Sequence, residues 1–162
     1  MDPFPQTREK SRISILEAKA TWLAPMGLVL CAVLVLAGCT KAPVKPSEIT
    51  QSDVCFHCKS PITDVAFAAE FITKDGFVRK FDDVACLIAH ARKVGKNNIV
   101  AFYGIDAPSK KLFPVEELQF VRSDKLRTPQ IGGMAAFTDQ AKADEFVTRF
   151  QAEKIKLDDL IR

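Results

Sequence analysis

The sequence is poor in several residue types, and each shortage narrows the functions it can have. It contains two His, one Tyr and one Trp, so a functional site has to be built largely from cysteines and carboxylates. Seven Gly and nine Pro in 162 residues exclude collagen-like and linker-dominated proteins. Lys plus Arg total 23 against 20 Asp plus Glu, a net charge of +3. That charge is too balanced for a general nucleic-acid-binding protein.

What the sequence has is the composition of a folded domain together with an unusual number of cysteines. Apolar residues make up 48% and charged residues 27%, which is typical of a globular chain and not of a disordered one. The sequence shows neither a nucleotide-binding loop nor a Ser-His-Asp arrangement. Five Cys in a chain of this length favour a metal, redox or lipid function.

The N-terminal segment has the pattern of an export signal. Residues 22–38 form a charge-free apolar run, preceded by four basic residues, namely Arg8, Lys10, Arg12 and Lys19. The run ends in Leu-Ala-Gly-Cys at 36–39, which resembles the bacterial lipobox, where the Cys thiol receives diacylglycerol. We therefore predict a lipoprotein signal peptide over 1–38, lipidation of Cys39, and a protein anchored in the cell envelope, facing the periplasm or cell exterior. The alternative is an uncleaved membrane anchor, since 17 residues are at the short end of a spanning helix.

After the predicted cleavage site the chain divides into a short tether and one small domain. Residues 39–50 contain the lipidated Cys and a polar, Pro-bearing stretch that predicts a flexible tether. Residues 51–162 are enough for a single domain. Three cysteines remain in that domain, Cys55, Cys58 and Cys86. Because the envelope is oxidising, an odd number of thiols there needs a functional explanation.

The pattern of apolar residues predicts an α+β fold whose first half is a β-β-α-β unit. In the first half we predict strands at 67–73 and 77–81 around an Asp-Gly turn, a helix capped by Asp82 or Asp83, and a strand at 98–103. In the second half we predict a strand at 118–122 and, entered from 132–137, a helix at about 139–151. The predicted buried stripe of that helix is Ala141, Phe146, Val147 and Phe150. Residues 81–85 and 137–141 both read Phe-x-Asp-x-Ala, which favours an internal duplication.

The candidate site is the Cys-x-x-Cys formed by Cys55 and Cys58, with His57 between them. Covalent c-type haem is excluded because Lys59, and not His, follows the second Cys. Thiol–disulfide exchange is a first alternative, although no apolar strand precedes the motif as it does in thioredoxin-like sites.

A structural zinc site is the second alternative. It would add Cys86 and His90, which share a helix face, as two more ligands. The apolar neighbours of Cys86 favour a packing role for that residue instead. Helix capping likewise explains Asp82 and Asp83 better than a pair of catalytic carboxylates does.

The order of motifs resembles the NosL family of membrane-anchored bacterial copper-binding lipoproteins. The motifs are the lipobox, the tether, the Cys-x-x-Cys, Phe-Ala-Ala-Glu, Lys-Asp-Gly, Phe-Asp-Asp with a nearby Cys, and Thr-Pro ahead of Gly-Gly-Met-Ala-Ala-Phe. The resemblance implies a fold of two β-β-α-β repeats, over about 64–104 and 112–160, shared with the organomercurial lyase MerB. It implies Cu(I) binding without enzymatic activity. It also implies delivery of copper to an extracytoplasmic enzyme such as nitrous oxide reductase. The expected partners are thus the bilayer, through Cys39, and a recipient copper enzyme or its maturation machinery.

The sequence departs from the family pattern at two places where sulfur ligands are expected. Typical members have Gly-Met after the second Cys, where this chain has Lys59-Ser60, and tend to have Met where this chain has Gln130. We therefore expect Cys55 and Cys58 to bind Cu(I), with Zn(II) as the alternative ion. His57 and Met134 are the candidates for further ligands.

Overall fold

The Asp75-Gly76 turn forms the hairpin that the sequence predicts. In the computed structural model, which describes residues 44–162, β1 (Ala69–Thr73) pairs antiparallel with β2 (Val78–Phe81), and Ala69 lies opposite Phe81. Gly76 has φ 87°, a left-handed conformation that glycine adopts without steric cost. The predicted signal peptide, the lipidation site Cys39 and the start of the tether lie outside the described residues.

The first helix also begins and ends where the sequence indicates. α1 (Val84–Val94) starts after Asp83, whose carboxylate accepts a hydrogen bond from the backbone N of Ala85 at 2.8 Å. It ends at Gly95, which has φ 85°. The remaining helices and strands are β3 (Ile99–Asp106), β4 (Lys111–Pro114), β5 (Gln119–Arg122), β6 (Met134–Phe137), α2 (Gln140–Phe150), β7 (Glu153–Ile155) and α3 (Leu157–Ile161). Short 3-10 turns occupy Val65–Phe67, Lys96–Asn98 and Val115–Glu117.

The seven strands form one mixed sheet in the order β2-β1-β3-β6-β5-β7, with β4 paired to β3. The α+β class is thus confirmed. Each half has the element order β-β-α-β and the same antiparallel pairing, β2-β1-β3 in the first half and β6-β5-β7 in the second. The halves meet where β3 runs parallel to β6, with Asp106 opposite Ala136. The predicted internal duplication stays a prediction.

The sheet is covered on both faces, because alternate residues of a strand point to opposite sides. Met134 and Ala136 of β6 belong to the core cluster that contains the buried residues of α1 and α3, whereas Ala135 and Phe137 belong to the cluster that contains α2. Thus α1 and α2 lie on opposite faces. The candidate site lies on the α1 side, in the first half.

Two local predictions are wrong. Residues 65–67 form a 3-10 turn capped by Asp64, so β1 begins at Ala69. The stretch 134–137, from which the second helix is entered as predicted, is β6, and it pairs with both β5 and β3. Ala141 is exposed, and the inner stripe of α2 instead runs through Ala143 and the half-buried aromatic and aliphatic residues beyond it.

The end of the predicted tether is bound to the domain. Ser47 donates hydrogen bonds from its backbone N and its Oγ to the buried carboxylate of Glu70, at 3.0 and 3.3 Å. Ile49 is buried in a small cluster with Ile62, Ala68 and Ile105. The chain from Ser47 onward is therefore part of the folded body. Within residues 44–162, no helix has the length and apolar character needed to cross a membrane.

Candidate metal centre

The Cys-x-x-Cys lies in a tight loop anchored to the edge strand β2. The backbone N of Cys55 donates to the carbonyl of Ser60 at 2.8 Å, and the N of Phe56 donates to the carbonyl of Lys80 in β2 at 2.8 Å. Lys59 closes the loop in the left-handed conformation, with φ 66°. This backbone holds both thiols against the end of β2 and the start of α1.

The following turn brings two more donors to the loop. Asp82 directly follows β2, and Cys86 lies in the first turn of α1. The Sγ atoms of Cys55, Cys58 and Cys86 and a carboxylate oxygen of Asp82 all lie within 4.8 Å of one another. We call these four residues the thiol cluster. Cys55, Asp82 and Cys86 are buried, while Cys58 is half-buried and provides the side from which the cluster can be reached.

Asp82 is a buried carboxylate without a basic partner. It is 1% exposed, and no ion pair of the described residues involves it. Its oxygens lie 3.7 Å from Sγ of Cys58, and Oδ2 accepts a hydrogen bond from Nε2 of Gln130 at 3.1 Å. Three thiols and one carboxylate within reach of a single ion form a donor set suited to a metal cation.

A hydrogen bond between the thiols of Cys55 and Cys86 shifts their pKa values in opposite directions. A hydrogen bond from the Cys86 thiol lowers the pKa of Cys55 to about 6, against the opposing effect of burial. The same hydrogen bond, followed by burial, raises the pKa of Cys86 above its usual range. The lowered pKa favours the thiolate form of Cys55, which is the form of cysteine that binds metal ions.

Sequence reasoning found half of this cluster. The structure brings Cys55 and Cys58 together, as expected for a shared ion. It also shows that Cys86, for which packing was favoured, is both a core residue and a member of the thiol cluster. Asp83 caps α1, as predicted, but its neighbour Asp82 belongs to the cluster. The available signal was the position of Cys86 three residues after the helix cap, beside the end of the edge strand.

The two histidines form a separate contact next to the cluster. The ring of His57, which is exposed, lies 5.7 Å from the ring of His90 between centroids. Neither belongs to the group of donors within 4.8 Å. His90 packs against Phe56, Phe71 and Phe81, so the zinc alternative loses the His ligand that it required. That His57 binds the ion stays a prediction.

The rim of the loop carries positive charge. Burial lowers the pKa of His90, and the nearby positive charges of His57, Lys93, Lys59 and Arg79 lower it further. The guanidinium of Arg79 lies 4.1 Å from the centroid of the Phe56 ring, and Nζ of Lys59 lies 4.2 Å from it.

Met134 is buried at the start of β6, in the same core cluster as Cys55 and Cys86. Its role as a ligand also stays a prediction.

Fold and site together define a class: a mixed α+β domain whose first half holds a cluster of soft sulfur donors suited to a soft metal ion. A solved structure with the same fold is the crystal structure of the copper chaperone NosL from Shewanella denitrificans, with a TM-score of 0.64. The match has 16% sequence identity and covers 72% of this chain and 95% of that chain. No family model and no curated protein matches this sequence. The resemblance to the NosL family is thus confirmed at the level of the fold.

Proposed function

We propose that this protein is a lipid-anchored, extracytoplasmic Cu(I) carrier that delivers copper to a copper enzyme such as nitrous oxide reductase. The observation that carries this proposal is the thiol cluster, in which three thiols surround a buried carboxylate that has no basic partner among the described residues. Cu(I) prefers thiolate ligands, and two or three of them are sufficient. The fold of a copper chaperone supports the same reading.

The position of Cys58 suits a carrier that must release its ion. Cys55 and Cys86 are buried, whereas Cys58 is half-buried on the loop. A sulfur ligand from a recipient can therefore approach beside Cys58 and replace it first, while the two buried thiolates still hold the ion. The transfer is then a sequence of ligand exchanges in which no free Cu(I) is released.

The first test is anaerobic competition of the full chain, in detergent, against a chromophoric Cu(I) chelator. We expect one tightly bound Cu(I), lost in the Cys55→Ser/Cys58→Ser double variant, with an unchanged far-ultraviolet circular dichroism spectrum. His57→Ala and Met134→Leu are compared in the same assay to assign further ligands. Tight binding retained by the double variant would exclude the proposed site.

Thiol–disulfide exchange is the competing function, and one observation favours it. The pKa of Cys55 is lowered to about 6 by the hydrogen bond from Cys86, as in redox-active cysteines. However, Cys55 is 0% exposed, so a substrate disulfide has no access to its sulfur. An oxidoreductase would show rapid alkylation of Cys55 in the native, metal-free protein, whereas a carrier would show alkylation of Cys58 first.

The anchor and the location rest on the lipobox and Cys39. Mass spectrometry of the mature chain should find a diacylglycerol-modified N-terminal Cys39, and Cys39→Ser should abolish both the modification and membrane association. A chain that keeps residues 1–38 and stays in the membrane would instead support the uncleaved anchor.

Delivery to nitrous oxide reductase is tested by adding the Cu(I)-loaded protein to the copper-free enzyme and measuring recovered activity.

A further inference from the structure

We infer that Gln130 is a positioning residue that holds Asp82 as a fixed oxygen ligand of the thiol cluster, and thereby lets the cluster accept Zn(II) as well as Cu(I). This inference rests on the proposed function, because it concerns the ion selectivity of the same site. It assigns a role to a residue that contributes no donor atom to the cluster and that stands where a sulfur ligand is expected in typical members of the resembled family.

The contacts of Asp82 show what the Gln130 side chain does. Nε2 of Gln130 donates to Oδ2 of Asp82 at 3.1 Å, while both carboxylate oxygens lie 3.7 Å from Sγ of Cys58. Because the amide N–H occupies Oδ2, Oδ1 is the oxygen that is available to an ion bound by the thiols. The hydrogen bond therefore selects one orientation of the carboxylate, as partners behind a metal ligand commonly do.

The backbone that carries the Gln130 side chain is itself held in place by hydrogen bonds to Asp83. The backbone N of Gln130 donates to Oδ2 of Asp83 at 3.1 Å, and Oγ1 of Thr128 donates to the same oxygen. Two residues further on, a Cβ on Gly132 would lie 2.6 Å from Cβ of Ala85, so only glycine allows the loop to lie this close to α1. The loop is thus clamped to the start of the helix that carries Cys86.

The chemistry of the two ions makes their responses different. Cu(I) is satisfied by two or three thiolates, so an oxygen donor adds little to its binding. Zn(II) takes four ligands in a tetrahedron and accepts a carboxylate oxygen as one of them. A fixed Asp82 completes a set of three sulfurs and one oxygen. Selectivity between these ions should therefore depend on Gln130.

The test compares Gln130→Ala with Asp82→Asn and the double variant, in the full chain. Gln119→Ala removes an exposed glutamine side chain from β5 and serves as the matched control. Zn(II) and Cu(I) affinities are measured by competition with indicators for each ion. We expect Gln130→Ala to weaken Zn(II) binding by about 10-fold to 100-fold and Cu(I) binding by less than about 3-fold. In the Asp82→Asn background, Gln130→Ala should have no further effect on Zn(II).

A spectroscopic measurement separates positioning from a general loosening of the loop. Co(II) bound in place of Zn(II) should show the visible bands of a tetrahedral site in the wild type and in Gln119→Ala, and altered bands in Gln130→Ala. Equal losses of Zn(II) and Cu(I) affinity, unchanged Zn(II) affinity in Gln130→Ala, or additive effects with Asp82→Asn would each overturn the inference. None of those results would contradict the proposed function as a Cu(I) carrier, provided that Cu(I) binding still requires Cys55 and Cys58. A wild type that binds neither ion overturns both.

Discussion

Lys59 is held in a backbone conformation that ordinarily belongs to glycine. Its φ of 66° allows the carbonyl of Cys55 to accept the backbone N of Lys59 at 3.0 Å, which closes the Cys-x-x-Cys loop. The left-handed conformation costs an L-residue about 1 kcal/mol or more. The Cys-x-x-Cys loop therefore closes through a non-glycine residue, at some conformational cost.

Lys59→Gly should accordingly raise the free energy of unfolding by up to about 1 kcal/mol, although it removes the contact of Nζ with the Phe56 ring. Chemical denaturation followed by circular dichroism measures the change. Lys93→Gly, at an exposed position in the last turn of α1, is the matched control. It should lower the free energy of unfolding by about 1 kcal/mol, because glycine disfavours a helix interior. A loss of stability in both variants would mean that the contacts of the Lys59 side chain outweigh the cost of its left-handed backbone conformation.

Cys86 combines a packing role with a chemical one, and two substitutions separate them. Cys86→Ala and Cys86→Ser both remove the sulfur, but only Ser places an additional polar group in the core. We expect both variants to weaken Cu(I) binding equally, by more than about 10-fold, while their unfolding midpoints differ. The measurements are chelator competition and thermal unfolding of the metal-free protein. Wild-type affinity in Cys86→Ala would reduce Cys86 to a core residue.

At the scale of elements, the two helices begin in the same way but with different consequences. Asp83 before α1 and Asp139 before α2 each accept a hydrogen bond from the backbone N two residues later, both at 2.8 Å. Asp139 is exposed, whereas Asp83 is 0% exposed and also accepts hydrogen bonds from Thr128 and Gln130. The first cap therefore also joins the halves of the domain.

Replacing each cap by alanine should reveal this difference. Asp139→Ala removes only a helix cap and should cost about 1 kcal/mol. Asp83→Ala also leaves buried donors without an acceptor and should cost about 3 kcal/mol. Denaturant titrations of both variants provide the comparison, with each serving as the control for the other. Equal costs would show that the loop at 128–133 gains nothing from its attachment to Asp83.

Most of the first half was predictable because its signals are local. The Asp-Gly turn, the Asp83 cap and Gly95 each act within a few residues of the element they define. The pairing of the second half depends on distant partners. Residues 134–137, Met-Ala-Ala-Phe, form β6 with β3 and β5 on either side. Such pairing leaves no trace in the sequence of a short segment.

At the scale of the whole molecule, Glu70 couples folding to pH. Its carboxyl is 0% exposed, and burial raises its pKa to about 7, against the hydrogen bonds from Ser47. The native state therefore keeps a proton that the unfolded state, with a pKa of 4.5, releases. The stability contributed by this group is complete below about pH 4.5 and is lost as the pH rises to about 7.

Glu70→Gln should remove this dependence. The difference in unfolding free energy between Glu70→Gln and the wild type should grow in favour of the variant from pH 4.5 to pH 7, by at most about 3 kcal/mol, and stay constant above. The difference is the quantity to measure, because the lowered pKa values of His90 and Cys55 add contributions of the opposite sign to the pH dependence of both proteins. A flat difference would mean that Glu70 is ionised in the folded protein.

The thiol cluster was only half predictable for a related reason. Spacing along the chain joins Cys55 to Cys58, but Cys86 lies 28 positions after Cys58, and only the pairing of the loop with β2 brings them together. Asp82 was hidden by Asp83, since two adjacent carboxylates before a helix are both explained by one cap. Gln130 was noticed only as a departure from the family pattern, and its contact with Asp82 could not be predicted because it crosses from one half of the domain to the other.

The similar arrangement of the two halves has a consequence for stoichiometry. The alignment that matches Asp83 with Asp139 also matches Asp82 with Thr138 and Cys86 with Lys142. Lys142 is exposed and stands at the helical position of Cys86 with a fixed positive charge in place of a thiol, so the second half offers no counterpart to the thiol cluster there. Among the described residues the thiol cluster lies in the first half alone, so we expect one bound ion per chain and not two.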